Sequence, residues 1–290
     1  MSSLTLKQKR RIKKKIRTAV DITIAVIITS LILFPIIWML PSAFKSRTEL
    51  FSIPNHFFTK KPTLDNFKAV FEMRLNNYNF IRSLLVTTGI AAITTIISVS
   101  INIIAGYAFA RIEFRFKKVL WVFFIVTMFV PGITIQLTSI KVVTDLNMIN
   151  TMWVLIIPGL ANSYQIFFFR QFYLGLPVSI EEAAEIDGCS KFQTFLRVTL
   201  PISGTPLVVI GVGHFMGCYN SYIWPVLTIS DNANLTQVMQ IIQLIKSSMT
   251  SRYGFGIVIA ATLISMTIPI TIFAIFQKKI IAGIATTGLK

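Results

Sequence analysis

A chain of 290 residues that is 54% hydrophobic and only 13% charged, with a mean hydropathy of +0.71, is too apolar for an ordinary soluble domain, in which about a quarter of residues carry charge. Its two cysteines, Cys189 and Cys218, form neither a C-x-x-C pair nor a disulfide framework, and His56 and His214 make no ligand cluster, so metal and redox chemistry have little to stand on. The net charge of +17 does not imply nucleic acid, because eight of the 28 basic residues fall in one leader, KQKRRIKKKIR, directly before the first apolar run, as in a positive-inside membrane anchor.

That leader, residues 1–18, precedes a single expected membrane domain, residues 19–290. Six charge-free runs follow in order, at 22–44, 83–110, 119–140, 146–169, 198–230 and 253–277. Each exceeds the roughly 20 residues an α-helix needs to cross about 30 Å of hydrocarbon. Strands of an outer-membrane barrel are excluded, because those alternate in polarity over about 10 residues. The expected fold class is an all-α integral membrane protein with six transmembrane helices. The leader resembles a signal-peptide n-region, but a span-length run follows it without an A-x-A site, so the first helix is expected to remain. With a cytoplasmic N-terminus both ends lie inside, and 18 basic residues fall on that side against 10 outside.

The first external loop, about 45–82, is too polar to span. Its segment 64–71 predicts a short amphipathic helix with Leu64, Phe67, Val70 and Phe71 on one face and Thr63 or Asp65 near its start. Polar residues inside the runs need partners or water. Ser98, Ser100 and Asn102 lie in the second run, Asn162, Ser163 and Gln165 in the fourth, His214 and Asn220 in the fifth. Interhelical hydrogen bonds account for each singly; together Asn102, Asn162, Gln165, His214 and Asn220 are candidates to line a polar path. Gly211, Gly213 and Gly217 predict close helix approach, and Trp38, Trp121, Trp153 and Trp224 fall near run ends as interfacial anchors.

Between the fourth and fifth runs lies EEAAEIDGCSKFQTFLRVTLP, residues 181–201, which holds Glu181, Glu182, Glu185 and Asp187, four of the chain's eleven acids. Ser179 to Glu182 reads as an S-x-x-E capping box that starts a helix. Asp187-Gly188 predicts a turn. A second helix carries Phe192, Phe195 and Leu196 on one face, and Pro201 suits the first turn of the next span. The loop, about 177–201, is a helix-turn-helix presenting small and acidic side chains, the geometry of a docking surface.

The spacing E-A-A, three residues, G, nine residues, I-x-L-P resembles the signature of permease subunits of binding-protein-dependent ABC importers. Here it runs Glu182-Ala183-Ala184, Gly188, Val198-Thr199-Leu200-Pro201, with valine for isoleucine. PTLDNF, AGYAFAR, NSYIWP and the tail QKKIIAGIATTGLK, in that order, resemble the carbohydrate branch and its six-span, maltose-type partner. The resemblance implies a coupling helix-turn-helix between spans 4 and 5 that sits in a cleft of a cytoplasmic ATPase, through Glu182, Ala183, Ala184, Glu185, Asp187, Gly188 and Pro201. It implies that the tail, about 278–290, reaches the ATPase interface through Gly283, Gly288 and Lys290. Implied partners are a second permease, two ATPase copies and an extracellular sugar-binding protein. GIATTGLK lacks the lysine and hydroxyl of a phosphate loop, so ATP and Mg would belong to the ATPase and this chain is not expected to be an enzyme or to hold a cofactor. A polyol or glycerol-phosphate importer is the rival within the class. An ion-coupled secondary transporter is disfavoured because the six runs contain no Asp, Glu, Lys or Arg.

Overall fold

Helices carry almost all of the computed structural model, which describes residues 6–54, 56–72, 74–75, 78–249 and 254–287. In chain order they are α1 (Leu6–Ala43), α2 (Arg47–Leu50), α3 (Asp65–Glu72), α4 (Phe80–Arg111), α5 (Lys117–Thr127), α6 (Gly132–Asp145), α7 (Met152–Ile156), α8 (Ser163–Leu174), α9 (Ser179–Ile186), α10 (Lys191–Thr194), α11 (Leu200–Ile202), α12 (Gly204–Tyr219), α13 (Ile223–Thr228), α14 (Val238–Met249) and α15 (Phe255–Thr287). A 3-10 turn, Ile157–Gly159, precedes α8, and a π-helical turn, Phe195–Thr199, joins α10 to α11. A two-residue antiparallel ladder, Arg74–Leu75 with Tyr78–Asn79, leads into α4.

Four helices or helix runs are long and apolar enough to cross a membrane: 12–43, 80–111, 152–174 and 255–283. The number rises to six when each of two bent pairs is taken as one span. Both bends were hidden in the apolar runs. The run 119–140 is two helices meeting at 106°, because Pro131 at the start of α6 has no N–H with which to continue α5. The fifth run starts within Lys191–Ile202, which meets α12 at 77°.

The chain forms two compact units. In the unit of residues 1–70 and 248–263, α1 absorbs the basic leader without a break, since Lys and Arg are good helix formers. None of the most apolar stretch of α1 is buried, as suits a lipid-facing helix. The buried Asn66 donates from Nδ2 to Ala43 O (2.8 Å) and Lys45 O (2.9 Å), tying the loop to the end of α1. The expected amphipathic helix begins one residue later than predicted, at Asp65. Its inward face is Asn66, Phe67 and Val70, while Leu64 and Phe71 are exposed. The inward position belongs to a polar residue because Asn66 satisfies carbonyls that the end of α1 leaves open. Nearby, Glu49 accepts from Lys60 N–H (2.5 Å) and Thr59 Oγ1 (2.7 Å), and these bonds hold its carboxyl below the usual carboxylate range.

In the unit of residues 71–247 and 264–290, α4 packs along α8 and α12. Val99, Ile103, Tyr107, Phe169, Tyr173, Phe195 and Ile210 form a core cluster there. Close approach of α4 and α8 depends on Gly106: a Cβ there would lie 2.6 Å from Phe169 Cβ and 3.1 Å from Arg170 N. Gly106→Ala is therefore expected to push the helices apart at a cost of about 1–3 kcal/mol, seen as a lower Tm in detergent, although alanine is the better helix former.

Candidate functional site

Two features stand out, a projecting helical loop and a cavity. The loop begins where Pro177 turns the chain after α8. Ile180 N–H donates to Pro177 O (3.3 Å) and Val178 already has helical angles, so Ser179 falls inside the helix and caps nothing. This corrects the expected capping box. The box forms one helix later, where Ser190 Oγ accepts from Gln193 N–H (3.3 Å) and Gln193 Oε1 accepts from Ser190 N–H (2.8 Å).

The turn between α9 and α10 behaves as predicted. Gly188 has φ +82°, its N–H donates to Glu185 O (3.0 Å), and Cys189 N–H donates to Ala184 O (2.9 Å), which together make a Schellman C-cap. Nothing lies within 4 Å of a Cβ built on Gly188, so its constraint is purely the backbone angle. Gly188→Val is expected to cost about 1–3 kcal/mol of local order and to leave the rest of the fold intact. Proteolysis within residues 186–191 measures the first, and circular dichroism checks the second.

The acids divide by role. Glu181 is 4% exposed; its Oε1 accepts from Arg111 Nε (2.7 Å) and its Oε2 from the Tyr107 hydroxyl (3.3 Å). Arg111 Nη2 also donates to Leu176 O (2.7 Å). This ion pair clamps α9 to the end of α4. Glu182, Ala183, Asp187 and Gly188 are exposed, with Ile186 85% exposed beside them, whereas Ala184 is buried. Among the described residues the Glu182 carboxylate makes no hydrogen bond or ion pair. Glu185 is partly exposed and pairs with Lys191 Nζ. Of the three apolar residues expected on one face of the following segment, Phe195 turns inward, with Thr194 and Thr199, while Phe192 and Leu196 are exposed. Pro201 opens the short α11 just before the 77° bend, not α12 itself.

The candidate path residues do not act alike. Asn102 is fully buried, with Nδ2 near Ser98 Oγ (3.0 Å), Leu160 O (2.9 Å) and Gln165 Oε1 (3.1 Å), and Oδ1 accepting from Asn162 N–H (3.1 Å). Asn162 Oδ1 caps α8 by accepting from Gln165 N–H (3.0 Å). This network fastens the broken fourth run to α4, as the interhelical reading anticipates. Asn162, Gln165 and His214 border a cavity of about 600 Å³, while Asn102 and Asn220 do not line it. His214 Nδ1 lies 3.2 Å from Thr95 Oγ1.

Gly213 and Gly217 also line that cavity, and a Cβ on either, or on Gly211, would meet nothing within 4 Å. Within this chain they make space; close approach occurs at Gly106 instead. Sequence reasoning missed Thr94, Gln136, Ser139 and Gln237 on the wall, where Trp224 also lies. Gln136 and Ser139 stand three residues apart in an apolar run, a helical spacing that was available as a signal. A Cβ built on Gly283 would lie 2.9 Å from Val209 Cγ2 and 3.1 Å from Thr205 Cγ2; Gly288 and Lys290 lie outside the described residues.

A family model described as the binding-protein-dependent transport system inner membrane component matches residues 102–284. The chain is 25% identical to the arabinooligosaccharides transport system permease protein AraQ of Halalkalibacterium halodurans, over 89% of this chain and 91% of that protein. It is 26% identical to the sn-glycerol-3-phosphate transport system permease protein UgpE of Yersinia enterocolitica, over 88% and 91%. Its fold matches a chain from the crystal structure of a bacterial ABC transporter involved in the import of the acidic polysaccharide alginate, with a TM-score of 0.75, 18% identity, and coverage of 96% of this chain and 99% of that one.

Proposed function

The chain belongs to the family of binding-protein-dependent transport system inner membrane components, and from that premise we propose that it is the permease subunit of an ABC importer for a sugar or oligosaccharide. The observation that carries this reading is the loop of α9 and α10. It exposes Glu182, Ala183, Ile186 and Gly188 while Glu181 clamps its other side to α4. An apolar side chain left 85% exposed beside an unpaired carboxylate suits a protein partner.

In this reading a cytoplasmic ATPase receives the loop, with Glu182 facing a basic residue, and binds the ATP and Mg whose hydrolysis drives transport. This permease contributes no catalytic residue. A second permease completes the pathway, two ATPase copies lie beneath, and an extracellular binding protein delivers the sugar. The residues about 45–82 face outward, the loop about 177–201 and the tail about 278–290 face the cytoplasm, and both termini are cytoplasmic.

Co-purification of the tagged chain with the ATPase and second permease, followed by glycan-stimulated ATP hydrolysis with the binding protein present, tests the assembly. Glycan-dependent stimulation supports the proposal, and an assembly that forms but ignores every glycan refutes it. Orientation is read separately from Ser2→Cys and Lys290→Cys in intact cells. Neither should react with a membrane-impermeant maleimide, and labelling of either overturns the topology.

A further inference from the structure

Several elements of the unit of residues 71–247 and 264–290 meet on the clamped side of the loop of α9 and α10. Tyr107, near the end of α4, donates its hydroxyl to Glu181 Oε2 on α9 (3.3 Å). Its ring stands edge-on to that of Tyr173 on α8, with centroids 5.4 Å apart at 86°, and lies 5.0 Å from that of Phe195 in the π-helical turn. Such edge-to-face pairs are directional and are worth more than the area they bury. Tyr173 and Ser203 are fully buried, and Ser203 Oγ lies 3.1 Å from the Tyr173 hydroxyl and 2.6 Å from Thr199 O.

The two hydroxyls have an order. A carbonyl only accepts, so the single hydroxyl hydrogen of Ser203 belongs on Thr199 O, and Tyr173 donates to the Ser203 oxygen. Ser203 stands between α11 and α12, where the chain bends by 77°. Among the described residues no other hydrogen bond ties residues 195–204 to α4 or α8. The backbone there is already weakened. The π-helical turn departs from the regular ladder, Pro201 has no N–H to give it, and a Cβ on Gly204 would meet nothing within 4 Å. Coupling between distant sites is carried by contiguous chains of packed side chains and hydrogen bonds. Glu181, Tyr107, Tyr173 and Ser203 form such a chain, from the projecting loop at one end to the bend that aims α12 at the other.

We infer that Tyr173 is a positioning residue for the coupling of ATP hydrolysis to transport: its hydroxyl holds Ser203, and with it the angle of α12, to the elements that the loop clamps. The inference rests on the importer reading and names the residue through which the loop acts on the following span. Packing alone does not call for the hydroxyl. A phenylalanine at 173 would keep the ring contacts, and Ser203 would still donate to Thr199 O, so no buried donor would be left unpaired.

The test uses the full complex of both permeases, the ATPase and the binding protein in proteoliposomes. Maltotriose, arabinotriose and an alginate trisaccharide are the probes, and uptake and ATP hydrolysis are measured together. Tyr173→Phe should leave assembly, the Tm and hydrolysis near wild type, and should lower the glycan taken up per ATP hydrolysed by about five- to tenfold, the worth of one hydrogen bond. Ser203→Ala should lower that ratio as far, with some loss of Tm because the buried Tyr173 hydroxyl then lacks an acceptor. The double variant should have the ratio of either single one, since all three lose the same bond. An unchanged ratio in Tyr173→Phe, whatever its Tm, overturns the inference and leaves the importer standing. So does a double variant whose loss is the product of the two single losses. Wild-type uptake of none of the three probes, with the complex intact, sinks the sugar-importer reading itself and the inference with it.

Discussion

Arg111→Ala is expected to destabilise the unit of residues 71–247 and 264–290 by about 3–5 kcal/mol, the cost of leaving a buried carboxylate without its counter-charge. The Glu181 and Arg111 side chains are only 5% and 10% exposed, so water cannot replace the lost partner. Tyr107 alone, at 3.3 Å, offers one weak neutral bond. Glu181→Gln should cost less, since the amide oxygen can still accept from Arg111 and Arg111 retains Leu176 O. Replacing both with leucine should restore most of the stability, because a buried pair is often no better than a well-packed apolar one. Thermal unfolding of the two single variants and the double variant in detergent provides the cycle. Single effects that simply add in the double variant would refute the clamp.

Glu182→Gln is expected to leave the Tm unchanged and to weaken ATPase binding by at least about tenfold. The first half follows from the structure: the side chain is exposed, caps no helix and pairs with nothing among the described residues. The second half follows from the proposed docking, where removing one charge of a partly desolvated pair costs roughly 2–5 kcal/mol, at 1.4 kcal/mol per decade. Ser179→Ala serves as the control and should be silent in both measurements, because Ser179 makes no cap. Binding unchanged in Glu182→Gln but lost in a Glu185 variant would move the docking contact to the partly exposed acid that bonds Lys191.

Much of this architecture was legible. The apolar runs and Gly188 each act through a local rule: length against bilayer thickness, and a positive φ after a helix. The E-A-A spacing located the projecting loop. What could not be read was which of two adjacent acids turns inward. Glu181 and Glu182 have the same chemistry, and only the end of α4, seventy positions earlier in the chain, decides that Glu181 meets Arg111. The bends were lost for a different reason. Counting charge-free residues ignores Pro131 at the first bend and Gly204 at the second, each of which carried a breaker signal inside an otherwise apolar run. The cavity wall is less local still, since Thr94, Gln136, Gln165 and Trp224 come from four different helices.

The 77° bend between Lys191–Ile202 and α12 makes the chain after the loop a crank rather than a push-rod. A straight helix would hand an axial shove directly to the far side of the bilayer. Here the first arm lies across the second, so twisting the first arm about its own axis swings the second sideways at nearly full radius. With 16 residues, α12 is about 24 Å long, and a twist of about 10° displaces its distant end by about 4 Å. That end carries Gly217 and Cys218 on the cavity wall, so a small rotation of the first arm would be enough to reshape the cavity.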